Sequence, residues 1–238
     1  PFAATLTWVG DGVGNLWDFA APNWSPATAL FQNNLNVAFD DGGSASPDVT
    51  LSADVEPATM AVTAKTKAYT LSGAGITGAT GIEKTGTASF TLNNANTYSG
   101  DTHVTAGQLI LRGSISGSSL KAEGGGNFNE TTTGTIGGNA SVTFTTSKGW
   151  SGLSGANTYD GLTTIGSVST TNVTLSIYNA QALGSTAQGT VIYGGGINLG
   201  DENQLVMSAP ITVSGETLTL MGGTNTRARY SGNCAGTA

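Results

Sequence analysis

The sequence predicts an all-β chain, a right-handed parallel β-helix closed at its start by a Trp-rich cap, and three observations point there. The first is composition: of 238 residues, 36 are Gly and only 10% are charged, against roughly a quarter charged in an ordinary soluble domain. Thr, Ser, Asn and Gly are poor helix formers, and few Glu, Lys, Arg or Leu runs offset them. The second is period. Short apolar runs such as Ser89-Phe90-Thr91-Leu92 and Val173-Thr174-Leu175-Ser176-Ile177 alternate with polar residues as strands do, which sets the chain apart from a Gly- and Ser-rich disordered one. The third is an echo: Ala95-Asn96-Thr97-Tyr98-Ser99-Gly100 returns, 61 residues later, as Ala156-Asn157-Thr158-Tyr159-Asp160-Gly161. Self-similarity over a long period marks stacked turns of backbone.

Residues 1–48 read as the cap. Trp8, Trp17 and Trp24 are interleaved with Gly and Asn, ahead of an alternating Leu35-Asn36-Val37-Ala38-Phe39 and a turn at Asp40-Asp41-Gly42-Gly43. Large indoles can cover the open end of a stack, where bare core and unpaired backbone would otherwise meet water. The sharper alternative is an aromatic platform for carbohydrate. Residues 49–238 read as the β-helix, one continuous domain with the cap. A sandwich would need hairpins, and no Asn-Gly or Asp-Gly turn flanked by strong alternation marks one.

Coils of about twenty residues stacked about 4.8 Å apart make the echo about three coils long, and the whole chain a rod of roughly 50–60 Å. Phe90, Leu92, Leu109, Leu111, Leu175, Ile177, Leu218 and Leu220 are expected to point inward. The echoed Asn96, Tyr98, Gly100, Asn157, Tyr159 and Gly161 are expected at corners and ladders, with Gly supplying φ > 0 and Asn bonding local backbone. Tyr98 and Tyr159 should share one edge of the stack. Residues 122–140, rich in Gly, Thr and Asn around Phe128-Asn129-Glu130, read as a surface loop suited to a partner, folding back where Trp150 closes over the stack.

Residues Gly86 to Leu111, with the Leu92-Asn93-Asn94-Ala95-Asn96-Thr97-Tyr98-Ser99-Gly100 centre and the Ala106-Gly107-Gln108-Leu109 exit, resemble the autotransporter-associated β-strand repeat family. Ser154 to Gly161 is similar to a second copy, whose exit departs from the pattern at Gly166-Ser167-Val168. Trp8-x-Gly10 with Trp17 and Asn23-Trp24, and Asn179-Ala180-Gln181-Ala182-Leu183-Gly184, resemble the segments that open and link such repeats. The resemblance implies a secreted or surface-exposed bacterial β-helix, usually part of a larger passenger protein. It implies no single activity.

The net charge of −7 sits at one end. Residues 1–64 hold Asp11, Asp18, Asp40, Asp41, Asp48, Asp54 and Glu56 and no Lys or Arg, while Arg227 and Arg229 follow the last acid, Glu216. Solvated ends are the plain reading. An acidic start (Asp40, Asp41, Asp48, Asp54, Glu56) and a basic tail (Arg227, Arg229) could also attract one another between molecules. No basic patch suits nucleic acid, and no apolar run of about 18 residues predicts a membrane helix. Cys234 is the only cysteine, so no disulfide scaffold or Cys-based zinc site forms within one chain. A start at Pro1, without a basic leader, fits a processed or excised segment.

Chemistry has little material. His103, the sole histidine, reads as a solvent-facing ladder residue. The adjacent acids Asp40-Asp41 and Asp201-Glu202 are weak Ca²⁺ candidates, and neither a metal site nor a cofactor is assigned. A polysaccharide lyase or glycosidase needs carboxylates facing one cleft. Asp101 and Asp160 fall about 14 Å apart at three coils. The expected function is structural: a rod-like segment of a bacterial surface protein, or a subunit that assembles end to end into a fibre or sheath. The alternatives are an adhesin or glycan-binding module and, third, a polysaccharide-degrading enzyme.

Overall fold

The computed structural model describes residues 5–26, 29–146, 148–167, 169–170, 173–179, 181–185 and 187–193. Beyond them it describes the strands Gly195–Leu199, Val206–Met207, Ile211–Ser214, Thr219–Gly222, Arg229–Tyr230 and Cys234–Thr237. All regular structure among these residues is β, and the strands stack as a parallel β-solenoid. One register row makes the architecture explicit. Thr7, Ala38, Ala61, Glu83, His103, Lys121, Thr143, Thr164, Val191, Thr212 and Ala235 are successive partners in one parallel ladder.

After the first step the members are 18–23 residues apart, except for 27 between Thr164 and Val191. That longer step holds the irregular exit of the second phrase, where Ser167 and Thr170 form a small antiparallel bridge. The coil of about twenty residues read from the echo is the coil observed. Asn96 pairs with Ile115, which pairs with Ile136, and Asn157 follows one coil on, its side chain accepting from the Ile136 N–H at 2.7 Å.

Alternation decides which side chains enter the core. Phe90, Leu92, Leu109, Leu111, Leu175 and Ile177 are all fully buried. Leu218 lies outside the described residues, and Leu220 falls in the strand Thr219–Gly222, paired with Ile197. Two inward rows run along the core: Phe39, Val62, Lys84, Val104, Ala122, Phe144, Ile165 and Ile192 on one wall, and Val49, Leu71, Leu92, Leu111 and Glu130 on another.

The N-terminal residues join the same sheet: Thr5–Trp8 runs parallel to Asn36–Phe39 and antiparallel to Trp24–Ser25, and Leu16–Trp17 runs parallel to Asp48–Leu51. Trp8, Trp17, Trp24, Phe31 and Phe39 are all 0% exposed and form one cluster. Trp24 sits at its centre, edge-on to Trp8 at 5.0 Å and to Trp17 at 5.1 Å.

The surface loop expected over residues 122–140 is not there. Leu120–Glu130 is a strand, in parallel register with Thr102–Leu111 apart from a shift between Val104 and Ala106. Two of its glycines have distinct causes: Gly124 has a positive φ of 63°, and a Cβ on Gly126 would run into the Val104 carbonyl oxygen. The corner glycines of the echo follow the same logic. Neither Gly100 nor Gly161 has positive φ, but a Cβ on either would strike the carbonyl of the coil below, Thr80 or Ala140. Gly100→Ala and Gly161→Ala are therefore expected to cost about 1–3 kcal/mol each by overpacking, measured as a lowered urea midpoint with unchanged slope. A loss below about 0.5 kcal/mol, the level of a neutral surface change, would mean that the coils can spread to admit a methyl.

Candidate functional site

The outward row turns polar over the middle coils. Glu83, His103 and Lys121 are consecutive register partners, and Glu123 stands two residues along the strand from Lys121. Both imidazole nitrogens are engaged: Nδ1 lies 3.1 Å from the Glu83 carboxylate, and Nε2 2.6 Å from Glu123 Oε1. Lys121 Nζ lies 2.6 Å from the other Glu123 oxygen. The hydrogen bond from Lys121, helped by His103, holds the Glu123 carboxyl below the usual carboxylate range. Beside this network a surface cleft of 460 Å³ is lined by Asp101, His103, Ser119, Lys121, Ser141 and Thr143 among others. His103 is thus a solvent-face ladder residue, with two carboxylate partners that sequence reasoning missed because they lie 20 residues away on either side.

The cleft brings two carboxylates, Glu83 and Asp101, together with His103, Lys121 and several hydroxyl groups. Asp101 lines it, whereas Asp160 lines a separate hollow of 370 Å³ with Asn139, Gly161, Leu162 and Gln188. Among the described residues, no group of three or more His, Cys, Asp or Glu is arranged to hold a metal.

Three of the N-terminal acids, Asp41, Asp54 and Glu56, tie one coil to the next. The Asp41 carboxylate accepts from the backbone N–H groups of Lys65, Thr66 and Lys67 at 2.9–3.1 Å and from the Thr66 hydroxyl at 2.9 Å. These donors, Thr66 N–H first, hold its carboxyl far below the usual range. Asp40 Oδ1 accepts from the Gly42 N–H, Asp54 Oδ1 from the Gly75 N–H, and Glu56 from the Thr77 hydroxyl, while Asp48 opens its strand in solvent. Arg227, Asp201 and Glu202 lie outside the described residues, and Arg229 falls in the strand Arg229–Tyr230, paired with Val206–Met207.

Trp8, Trp17 and Trp24, the residues considered for a carbohydrate platform, present no open face: each indole is 0% exposed, and none of their N–H groups has a conventional acceptor. An orphaned donor costs about 1–3 kcal/mol. Burying an aromatic side chain of about 150–250 Å² returns roughly 4–6 kcal/mol, so burial prevails. Trp150 is the exception, 48% exposed, and it lies over Gly152 of its own coil instead of covering a folded-back loop.

The echoed residues are internal fasteners. Asn96 Oδ1 accepts from the Ile76 N–H at 3.0 Å while its Nδ2 donates to the Ser114 carbonyl at 3.1 Å. Asn157 does the same between the Ile136 N–H and the Ala182 carbonyl, at 2.7 and 2.9 Å. Each side chain bridges the coil before and the coil after. Tyr98 and Tyr159 are buried within the stack, each hydroxyl 2.6–2.7 Å from the threonine hydroxyl four residues on. Burial pushes both phenols well above their ordinary range.

Two buried ionisable residues escaped the sequence reading. Lys84 takes a place in an otherwise apolar row, 0% exposed, its ammonium bonded to the Gly86 and Ala106 carbonyls, and burial pushes its pKa down to about 8. Glu130 follows Leu71, Leu92 and Leu111 in the other row. Its Oε2 accepts from the Ser154 and Gly155 N–H groups and from Asn157 Nδ2, at 2.8–3.1 Å, whereas Oε1 is buried without a partner. Burial outweighs these bonds and raises the carboxyl to about 7.

These features define a parallel β-solenoid whose distinctive residues serve inter-coil cohesion. Comparison with known proteins agrees: the passenger-associated-transport-repeat model matches residues 82–111 and 153–167, the two stretches that hold the echo. The chain carries repeats similar to those of autotransporter-associated surface proteins, and this match supports an extracellular, surface location. No curated protein and no solved structure matches the chain. Among the described residues no helix is long and apolar enough to cross a membrane.

Proposed function

We propose that the chain is a structural rod, a non-enzymatic segment of an extracellular surface protein that holds neighbouring parts of that protein, or neighbouring molecules, at a fixed separation. The uninterrupted eleven-member ladder from Thr7 to Ala235 supports this most directly. At about 4.8 Å per coil it gives a rod of roughly 50 Å. End-to-end contact is the finer reading. Leu16–Trp17 pairs on one side with Asp48–Leu51, and Val13, Leu16, Phe19 and Leu30 are exposed around it, an apolar patch next to an open strand edge.

Negative-stain imaging at low and high ionic strength tests both levels. Rods of about 50 Å support the structural segment, and lengths in multiples of that unit, shortening as salt rises, support end-to-end contact assisted by charge. Compact spheres, or product released from plant, algal or host polysaccharides, would overturn the structural reading.

A further inference from the structure

We propose that the outward ladder centred on His103 pairs with the same ladder of a second copy, the two rods lying side by side in opposite directions. The ladder runs Ala38, Ala61, Glu83, His103, Lys121, Thr143 and Thr164 in consecutive register. None of these residues is buried, and Glu83 and Lys121 stand out furthest, their side chains 52% and 48% exposed against 29% for His103. Their opposite charges lie one coil before and one coil after His103, with only Ala beyond one and only Thr beyond the other. Neither charge is used up. The Glu83 carboxylate is bonded to His103 Nδ1 and Lys121 Nζ to Glu123, whereas a carboxylate offers about four acceptor sites and an ammonium three donors.

That placement is self-complementary under one operation. A half-turn about the His103 strand reverses the second rod and brings its Lys121 opposite Glu83 and its Glu83 opposite Lys121, the reciprocity of a two-fold interface. Parallel rods in the same register would instead set like charge on like. Beyond the charges Ala61 meets Thr143 and Ala38 meets Thr164, short side chains that let two sheet faces approach to about 10 Å. The cleft beside Glu83, His103 and Lys121 leaves room for the longer side chains of the facing copy. A neutral ligand on this face would answer neither charge, and a singly charged one would answer only one of the two. One group opposes the pairing: Asp101, exposed just before the strand Thr102–Leu111, comes opposite Asp101 of the second copy. A strip of about 10 Å by 30 Å, three residues wide and seven coils long, falls in the size class of weak, transient contacts, so the pairs form at high local concentration.

This side contact does not depend on contact between ends. Sedimentation of the full chain from micromolar to millimolar concentration, at low and high ionic strength, tests it. The expected result is a monomer–dimer equilibrium that salt weakens, with negative-stain particles two rods wide and one rod long. Glu83→Lys and Lys121→Glu, with unchanged far-ultraviolet spectra, should each weaken association at least about tenfold by setting like charges together. The double variant Glu83→Lys/Lys121→Glu should restore it, and so should an equal mixture of the two single variants. Asp101→Asn should tighten it. A monomer at every concentration, dimers undiminished in both single variants, or particles that lengthen without widening would overturn the proposal, and the last of these outcomes leaves the structural rod in place.

Discussion

Trp24→Ala is expected to remove about 3–5 kcal/mol of stability, the range for truncating a large buried aromatic. The indole touches Trp8, Trp17, Phe31 and Phe39, with ring centroids 5.0–6.0 Å away, so its loss leaves a cavity lined by the rings that close this end of the core. Solenoid stability is close to a sum of coil terms and nearest-neighbour terms, and the damage should therefore be local first. Amide exchange in the strands Thr5–Trp8 and Asn36–Phe39 should accelerate well before that in Thr102–Leu111. Urea unfolding by intrinsic fluorescence gives the magnitude. A loss under about 1 kcal/mol, the size of an ordinary point substitution, would show that the aromatic cluster does not hold the end.

The second large effect is a dependence on pH centred on Glu130. Its folded pKa of about 7 stands above its ordinary value of 4.5, so between these values the folded state holds a proton that the unfolded state has released. Stability must then fall as pH rises through this window and level off above it, by about 3 kcal/mol in total at 1.36 kcal/mol per pH unit. The lowered carboxyls Asp11, Asp41 and Glu123 act in the opposite direction at lower pH, losing their contribution as pH falls through their folded values. Lys84 acts above about pH 8, where its depressed pKa makes stability rise towards 10.5. Glu130→Gln keeps an acceptor for Ser154, Gly155 and Asn157 and should flatten the curve from pH 4.5 to 7. A slope in that window undiminished in the variant would rule out Glu130 as its origin.

Much of this architecture was legible in the chain, because the echo carries both a period and its physical cause. Asn, Tyr and Gly recur where one coil must be fastened to the next, and the register places the two copies three coils apart. The inward positions of Phe90, Leu92, Leu109, Leu111, Leu175 and Ile177 followed from alternation alone. What could not be read was anything set by residues one coil away. Gly124, Gly125 and Gly126 suggested a loop, yet they belong to a strand in which the facing coil leaves no room at Gly126 for a side chain. Glu130 looked like a surface acid, since nothing local shows that it succeeds Leu111 in a buried row. The glutamates that flank His103 were invisible for the same reason. The tryptophans were legible as a cluster, but their burial depends on Phe31 and Phe39 folding over them.

The eleven-member ladder also sets how the rod answers a pull. Its hydrogen bonds between coils run along the long axis, so tension applied between Thr5 and Thr237 acts on the outermost coil first. Each coil that peels away frees about twenty residues, or roughly 70 Å of extended chain, in place of about 4.8 Å of rod. A short stiff spacer thus holds slack many times its own length, released one step at a time.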